Sequence, residues 1–169
     1  MEHLLVQLAR KTIDTYIKEK KVIDFPVDLT PEMKAKAGVF VSLHRQGKLR
    51  GCIGTFTPTT ENVAKEIIRN AIESSTQDPR FPPVEKDELA DLEISVDLLG
   101  IPEPVKSVKE LDAEKYGVII KSGVRRGLLL PDLPGVDTPE EQIEICRQKA
   151  GIGDDEPLEL FKFEVRRFH

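Results

Sequence analysis

Two glycines three residues apart, Gly51 and Gly54, sit in a stretch that otherwise alternates like a β-strand: Leu49-Arg50-Gly51-Cys52-Ile53-Gly54-Thr55-Phe56. Glycine weakens a strand interior, so a pair of them calls for a bulge or for close approach by a ligand or another backbone. Upstream, Gly38-Val39-Phe40-Val41-Ser42-Leu43-His44-Arg45 has strand character, and Gln46-Gly47 is a turn signal. Together they predict a β-hairpin over Gly38 to Phe56. A two-residue turn at Gln46-Gly47 places Val41 opposite Cys52 and Leu43 opposite Arg50, with His44 on the other face. A three-residue loop would shift that pairing. Alternation puts Arg50, Cys52 and Gly54 on one face of the strand and Gly51, Ile53 and Thr55 on the other.

The hairpin is flanked by elements of both kinds. Leu5, Leu8, Ala9, Ile13, Tyr16 and Ile17 fall at helical spacing and predict a helix from Glu2 to Lys20. Pro26 and Pro31 mark the next segment, Asp24 to Lys36, as an irregular connector with one helical turn. Thr59 or Thr60 caps a second helix that runs to Thr76 and is stopped by Asp78-Pro79. Leu92 to Leu98 alternates cleanly and predicts a strand with one wet face. A proline-bearing link at Pro102 and Pro104 leads to a second hairpin, Tyr116 to Lys121 and Arg125 to Leu130, turning at Ser122-Gly123. Thr138-Pro139-Glu140-Glu141 is a capping box with proline at the first helical position, and Gly151 is the C-terminal stop. Leu158 to Arg166 reads as a last strand with a bulge. Hairpins dominate, so the expected class is α+β: a mostly antiparallel sheet with helices packed on it, in a single domain over residues 1–169.

Composition narrows the function classes. Hydrophobic residues make up 39% and charged residues 33% of the chain, which is globular rather than disordered. A formal net charge of -5 gives no general pull toward nucleic acid or an anionic membrane, and Arg125-Arg126 and Arg166-Arg167 are only local basic pairs. Cys52 and Cys146 are far apart and neither lies in a C-x-x-C pair, so no disulfide framework or cysteine zinc site is expected. His3, His44 and His169 are scattered, which argues against a dedicated metal site. No phosphate-loop, dinucleotide, zinc-protease or serine-hydrolase motif is present, and the sequence points to no particular cofactor. The opening Met1-Glu2-His3-Leu4-Leu5-Val6-Gln7 lacks the apolar run of a signal peptide and no stretch reaches membrane-span length, so the expected location is cytoplasmic.

Chemistry is expected at two places. In the glycine-bearing strand, Arg50 lies about 6.5–7 Å from Cys52 at strand spacing, a range at which a guanidinium favours a thiolate. Cys52 is then a reactive thiol beside an anion-binding arginine, next to backbone left bare at Gly51 and Gly54 with Thr55 following. The competing reading is a small packed cysteine, with Arg50 holding a carboxylate of the protein itself. In Asp78-Pro79-Arg80-Phe81, Arg80 holds an anion that Asp78 orients, or else the two form a local pair at a helix stop. Cys146 shares a helical face with Ile143 and Ala150 and reads as core.

These segments resemble the AMMECR-type domain, also called protein A of the AmmeMemoRadiSam system. The resemblance rests on Gly38 to Leu43, Leu49 to Thr55, Asp78 to Phe81, Glu88-Leu89, Leu92 to Val96, Gly127 to Pro131 and Lys149 to Gly151, and so covers nearly the whole chain. It implies an α+β fold with two lobes and a cleft between them. It also implies a family of unestablished biochemical activity, which in prokaryotes accompanies a Memo-like protein and a radical SAM protein. The chain departs from longer relatives by a shorter region between Leu130 and Thr138.

Three functional readings follow. The first is binding of a small anionic ligand in a cleft lined by Arg50-Gly51-Cys52-Ile53-Gly54, with Thr55, Asp78 and Arg80 contributing. The second is an enzyme or enzyme subunit with Cys52 as nucleophile or redox thiol and Arg50 or Arg80 as anion holder. The third is a non-catalytic partner of the Memo-like and radical SAM proteins.

Overall fold

The structure is a computed structural model describing residues 1–169. The chain divides into two compact units, Met1–Leu98 with Arg166–His169, and Leu99–Val165. The class is α+β, as the hairpin-rich pattern predicts.

In the first unit, α1 (Leu4–Glu19) and α3 (Val63–Thr76) cover one face of a sheet. That sheet runs β2 (Lys48–Thr55), β1 (Gly38–Arg45), β3 (Leu92–Leu99) and then the end of β7 (Glu159–Phe168). The stripe read from the sequence is the buried one: Leu5, Leu8, Ala9, Ile13 and Ile17 of α1 pack with Ile67 and Ala71 of α3 and with Val39, Val41 and Leu43 of β1. Each buried leucine, isoleucine or valine among them contributes roughly 1.5–3 kcal/mol relative to exposure. A one-turn helix, α2 (Pro31–Lys34), interrupts the connector after α1, capped by Thr30.

The β1–β2 turn has two residues, Gln46 and Gly47, at φ 53° and 72°. Two successive positive φ values match the right-handed twist of a hairpin. The register is nevertheless not the one a two-residue turn predicts. His44 pairs with Leu49, but Leu43 pairs with Gly51, so Arg50 is an extra residue and the ladder shifts by one. Cys52 therefore faces Ser42, not Val41. A bulge lets Arg50 leave the ladder while the strand continues.

Three other expectations are corrected. The cap of α3 is Asn62, whose side chain accepts from Lys65 N–H, because Thr59 and Thr60 are both held by Glu66. The outer face of β3 is wet only at Glu93: Asp97 is 1% exposed and pairs with Arg167 at 2.8 and 2.9 Å. A carboxylate can be buried there because a guanidinium fork satisfies both its oxygens. The proline-bearing link holds a short strand, β4 (Glu103–Val105), with Pro104 opposite Phe161 of β7. Edge strands tolerate proline.

The second unit is built on β5 (Tyr116–Ser122), which lies between β6 (Arg125–Leu129) and β7, with β4 on the other side of β7. Ser122 pairs with Arg125, so the hairpin turns at Gly123-Val124, one residue later than predicted. Helix α4 (Pro139–Ala150) has the predicted Thr138–Glu141 capping box and the Gly151 stop. It buries Cys146 against Val118, Ile120 and Leu129. No helix is long and apolar enough to cross a membrane.

Candidate functional site

The bulge turns Arg50 outward into a clasp. Its Nε and Nη2 donate to the two oxygens of Glu88 at 2.8 and 2.9 Å, and Nη1 and Nη2 donate to the carbonyls of Pro82 and Pro83. Glu88 also accepts from Glu85 N–H and from Arg45. The Arg50 guanidinium holds the Glu88 carboxyl down to about 2. Every face of the Arg50 fork that matters for an anion is thus committed within the protein. Its work is to fix the segment Pro82 to Glu88 against β2.

The chain leading into that segment passes through Asp78, just past the end of α3. Asp78 is 4% exposed and carries several bonds at once. One oxygen accepts Cys52 N–H at 2.9 Å and Arg80 Nη2 at 2.8 Å; the other accepts Arg80 N–H and Nε, each at 3.0 Å. Hydrogen bonding from Arg80 holds the Asp78 carboxyl far below the usual carboxylate range, aided by the Cys52 N–H. Arg80 itself keeps 56% of its side chain exposed. Its Nη2 reaches the Cys52 carbonyl at 3.4 Å, while Nη1 makes no hydrogen bond in the protein. Its guanidinium lies 5.5 Å from the centre of the Phe81 ring.

The Cys52 thiol is half-buried, with Ser42 Oγ at 3.2 Å. Burial pushes its pKa up. Ser42 and Arg80 pull it down, and Asp97 and Asp78 add to the rise; the net direction is upward. The guanidinium that acts on the thiol is Arg80, not Arg50, and it does not win. At neutral pH the group is a thiol.

The glycines answer to packing. A Cβ on Gly51 would lie 2.2 Å from the Ser74 carbonyl oxygen of α3, and one on Gly54 would lie 2.2 Å from the Phe40 ring. Thr55 faces α3, where Oγ1 donates to Glu66 at 2.8 Å. Burial alone would raise the Glu66 pKa, but bonds from Thr55, Thr59 and Thr60 outweigh it and hold the carboxyl low.

A family model described as AMMECR1 matches residues 6–169. The chain belongs to the AMMECR1 family. A Thermotoga maritima AMMECR1 relative is 53% identical over 171 residues, covering 99% of this chain and 98% of that protein. Protein CA_C1420 of Clostridium acetobutylicum is 51% identical and 96% of this chain aligns with it, yet the match spans only 35% of that longer protein. Protein PH0010 of Pyrococcus horikoshii is 39% identical, covering 97% of this chain and 87% of its own. The crystal structure of PH0010, described as an uncharacterized protein, superposes with a TM-score of 0.86 at 35% identity, covering 96% of this chain and 88% of that one. The names of these relatives state no activity, in keeping with a family whose activity is unestablished.

Of the residues singled out from the sequence, the AMMECR1 fold brings Cys52, Asp78 and Arg80 together. It sends Arg50 to Glu88, and it turns Gly51 and Thr55 toward α3. Sequence reasoning missed Ser42, Glu88 and Asp97. Ser42 was hidden by the one-residue register shift. Glu88 carried a signal, since it lies in the family-like segment Glu88-Leu89, but no local pattern ties it to Arg50. Asp97 sits in a strand that alternates like any half-wet one, and its partner Arg167 lies 70 residues away.

Proposed function

We propose that this AMMECR1 protein binds an anionic ligand at the outer edge of β2, with Arg80 holding the anion and Cys52 beside it. One observation supports this reading above the others. Asp78 orients the Arg80 fork and Cys52 N–H together, and leaves Arg80 Nη1 unbonded on a side chain that is 56% exposed. A guanidinium fixed before the ligand arrives loses less freedom on binding. Arg50, Gly51 and Thr55 serve the site by building β2 and its surroundings. The test is a titration of the folded protein with acetate and with phosphate at constant ionic strength, followed at the Cys52 amide by NMR. A saturating shift that disappears in Arg80→Gln is expected. A linear drift shared by both proteins would overturn the reading.

Catalysis by Cys52 is the weaker alternative. The thiol is pushed toward its neutral form, and its hydrogen-bonding side-chain partner is a hydroxyl rather than a base. A partner role beside Memo-like and radical SAM proteins draws on the family resemblance and on the Clostridium relative, in which the matched region is about a third of a longer chain. Failure to co-purify with such proteins, under conditions that keep both folded, would count against it.

A further inference from the structure

Asp78 and Arg80 occupy the outer edge of Cys52 as a neighbouring strand would. Asp78 accepts the Cys52 N–H at 2.9 Å and Arg80 Nη2 donates to the Cys52 carbonyl at 3.4 Å. The Cys52 N–H therefore points away from β1, which makes Ser42 and Cys52 a non-hydrogen-bonded pair of the antiparallel ladder. Such pairs alternate along a ladder. Phe40 and Gly54, two residues on, are the next of the same kind, so the N–H and C=O of Gly54 also point outward. β2 ends the strand order and pairs with β1 alone, and no other backbone group bonds to Gly54. Phe40 closes the Cα face of Gly54, and its edge N–H and C=O remain without a hydrogen-bond partner.

A chain that pairs antiparallel to β2 has a defined direction. In an antiparallel hydrogen-bonded pair, a ligand residue opposite Gly54 places its carbonyl at Gly54 N–H and its own N–H at Gly54 C=O. Its chain then runs toward Cys52, where Arg80 and Asp78 already fill the next position. A ligand that runs this way must end there, and an end in that place is a carboxylate beside the unbonded Arg80 Nη1. Thr55 closes β2 one residue on, so the edge reads a single residue.

We infer that the anionic ligand is an N-acylated α-amino carboxylate, free or as the last residue of a peptide. One carboxylate oxygen accepts Gly54 N–H, the other takes Arg80 Nη1, and the ligand's amide N–H donates to Gly54 C=O. This rests on the anion-binding reading of Arg80 and adds Gly54 as the residue that selects the ligand.

The test is NMR on the full chain, followed at the Gly54 and Cys52 amides, with four probes: acetate, N-acetylalanine, N-acetylalaninamide, and acetyl-Gly-Gly-Ala with a free carboxylate. N-acetylalanine should saturate the Gly54 shift about 10-fold or more tighter than acetate, because it adds backbone bonds to the same charge contact. N-acetylalaninamide should bind more weakly than N-acetylalanine, and Arg80→Gln should erase that difference. The peptide binding more tightly than N-acetylalanine assigns the site to peptide ends, and equal binding assigns it to the free acyl amino acid. If acetate shifts Cys52 but N-acetylalanine binds no better than acetate, or leaves Gly54 unmoved, the inference fails while the anion site stands. If acetate and N-acetylalanine both leave Cys52 and Gly54 unmoved, both fail.

Discussion

Asp78 is the residue on which the site turns. It is nearly buried, its carboxyl is held well below the usual range, and it joins Arg80 to the backbone of Cys52. Replacing it with Asn keeps one acceptor but removes the charge that faces Arg80. At neutral pH, Asp78→Asn should cost roughly 1–3 kcal/mol, the range for hydrogen bonds to a charged group after allowance for the exposed Arg80. The pH dependence has a fixed sign. A carboxyl depressed by folding stabilises above its unfolded value of about 3.9 and loses that contribution as the pH falls toward its folded value. The gap between wild type and Asp78→Asn in urea unfolding should therefore shrink below about pH 4. A gap that stays constant through that range would show that Asp78 is not depressed. The sequence carried Asp78 and Arg80 as a pair because they are two residues apart. It could not show that Cys52 N–H, 26 residues away, completes the arrangement.

Among the elements, the β1–β2 hairpin shows what local pattern can and cannot reveal. Its strands and turn were legible because β-branched residues, alternation and Gln46-Gly47 are local signals. The Arg50 bulge was not, because it is set by Glu88 and two proline carbonyls that the sequence places more than 30 residues away. The α4 cap was legible as a contiguous capping box, whereas the α3 cap was misplaced because Glu66 draws Thr59 and Thr60 away from the helix end. The glycines announced close approach without saying to what. Both approaches are internal, and they differ in kind. Gly51 meets the α3 backbone and Gly54 meets a side-chain ring. Gly51→Ala should destabilise by about 3 kcal/mol or more, since α3 must move. Gly54→Ala should cost less, because Phe40 is a side chain that can turn aside, and its penalty should shrink in a Phe40→Ala background, which removes the Cγ and Cδ atoms that the new Cβ would meet. Thermal unfolding of these variants checks this order. Equal losses for the two glycine variants, with no smaller penalty in the Phe40→Ala background, would contradict the packing account.

For the whole molecule, the two units should respond differently to acid and to thiol reagents. Glu88, Asp78 and Glu66, all held low, lie in the unit Met1–Leu98. Glu88 alone, held at about 2, is equivalent to roughly 3 kcal/mol at neutral pH, present above its unfolded value and lost as acid protonates it. Hydrogen exchange should therefore loosen that unit before Leu99–Val165 as the pH falls below about 4. Opening in the reverse order would refute the assignment. Cys146 is fully buried in the second unit, and burial pushes its thiol up to about 11. It should react only when that unit opens, and so serves as an internal control for Cys52. The measurement that most directly tests Arg80 as the anion-holding residue uses this pair. Cys52 is alkylated in the folded protein with iodoacetate, an anion, and with neutral iodoacetamide, in wild type and Arg80→Gln, and the ratio of the two rates is compared. The account predicts a ratio several-fold higher in wild type than in Arg80→Gln, lowered in wild type by added acetate. The same ratio in both proteins, unaffected by acetate, would contradict it.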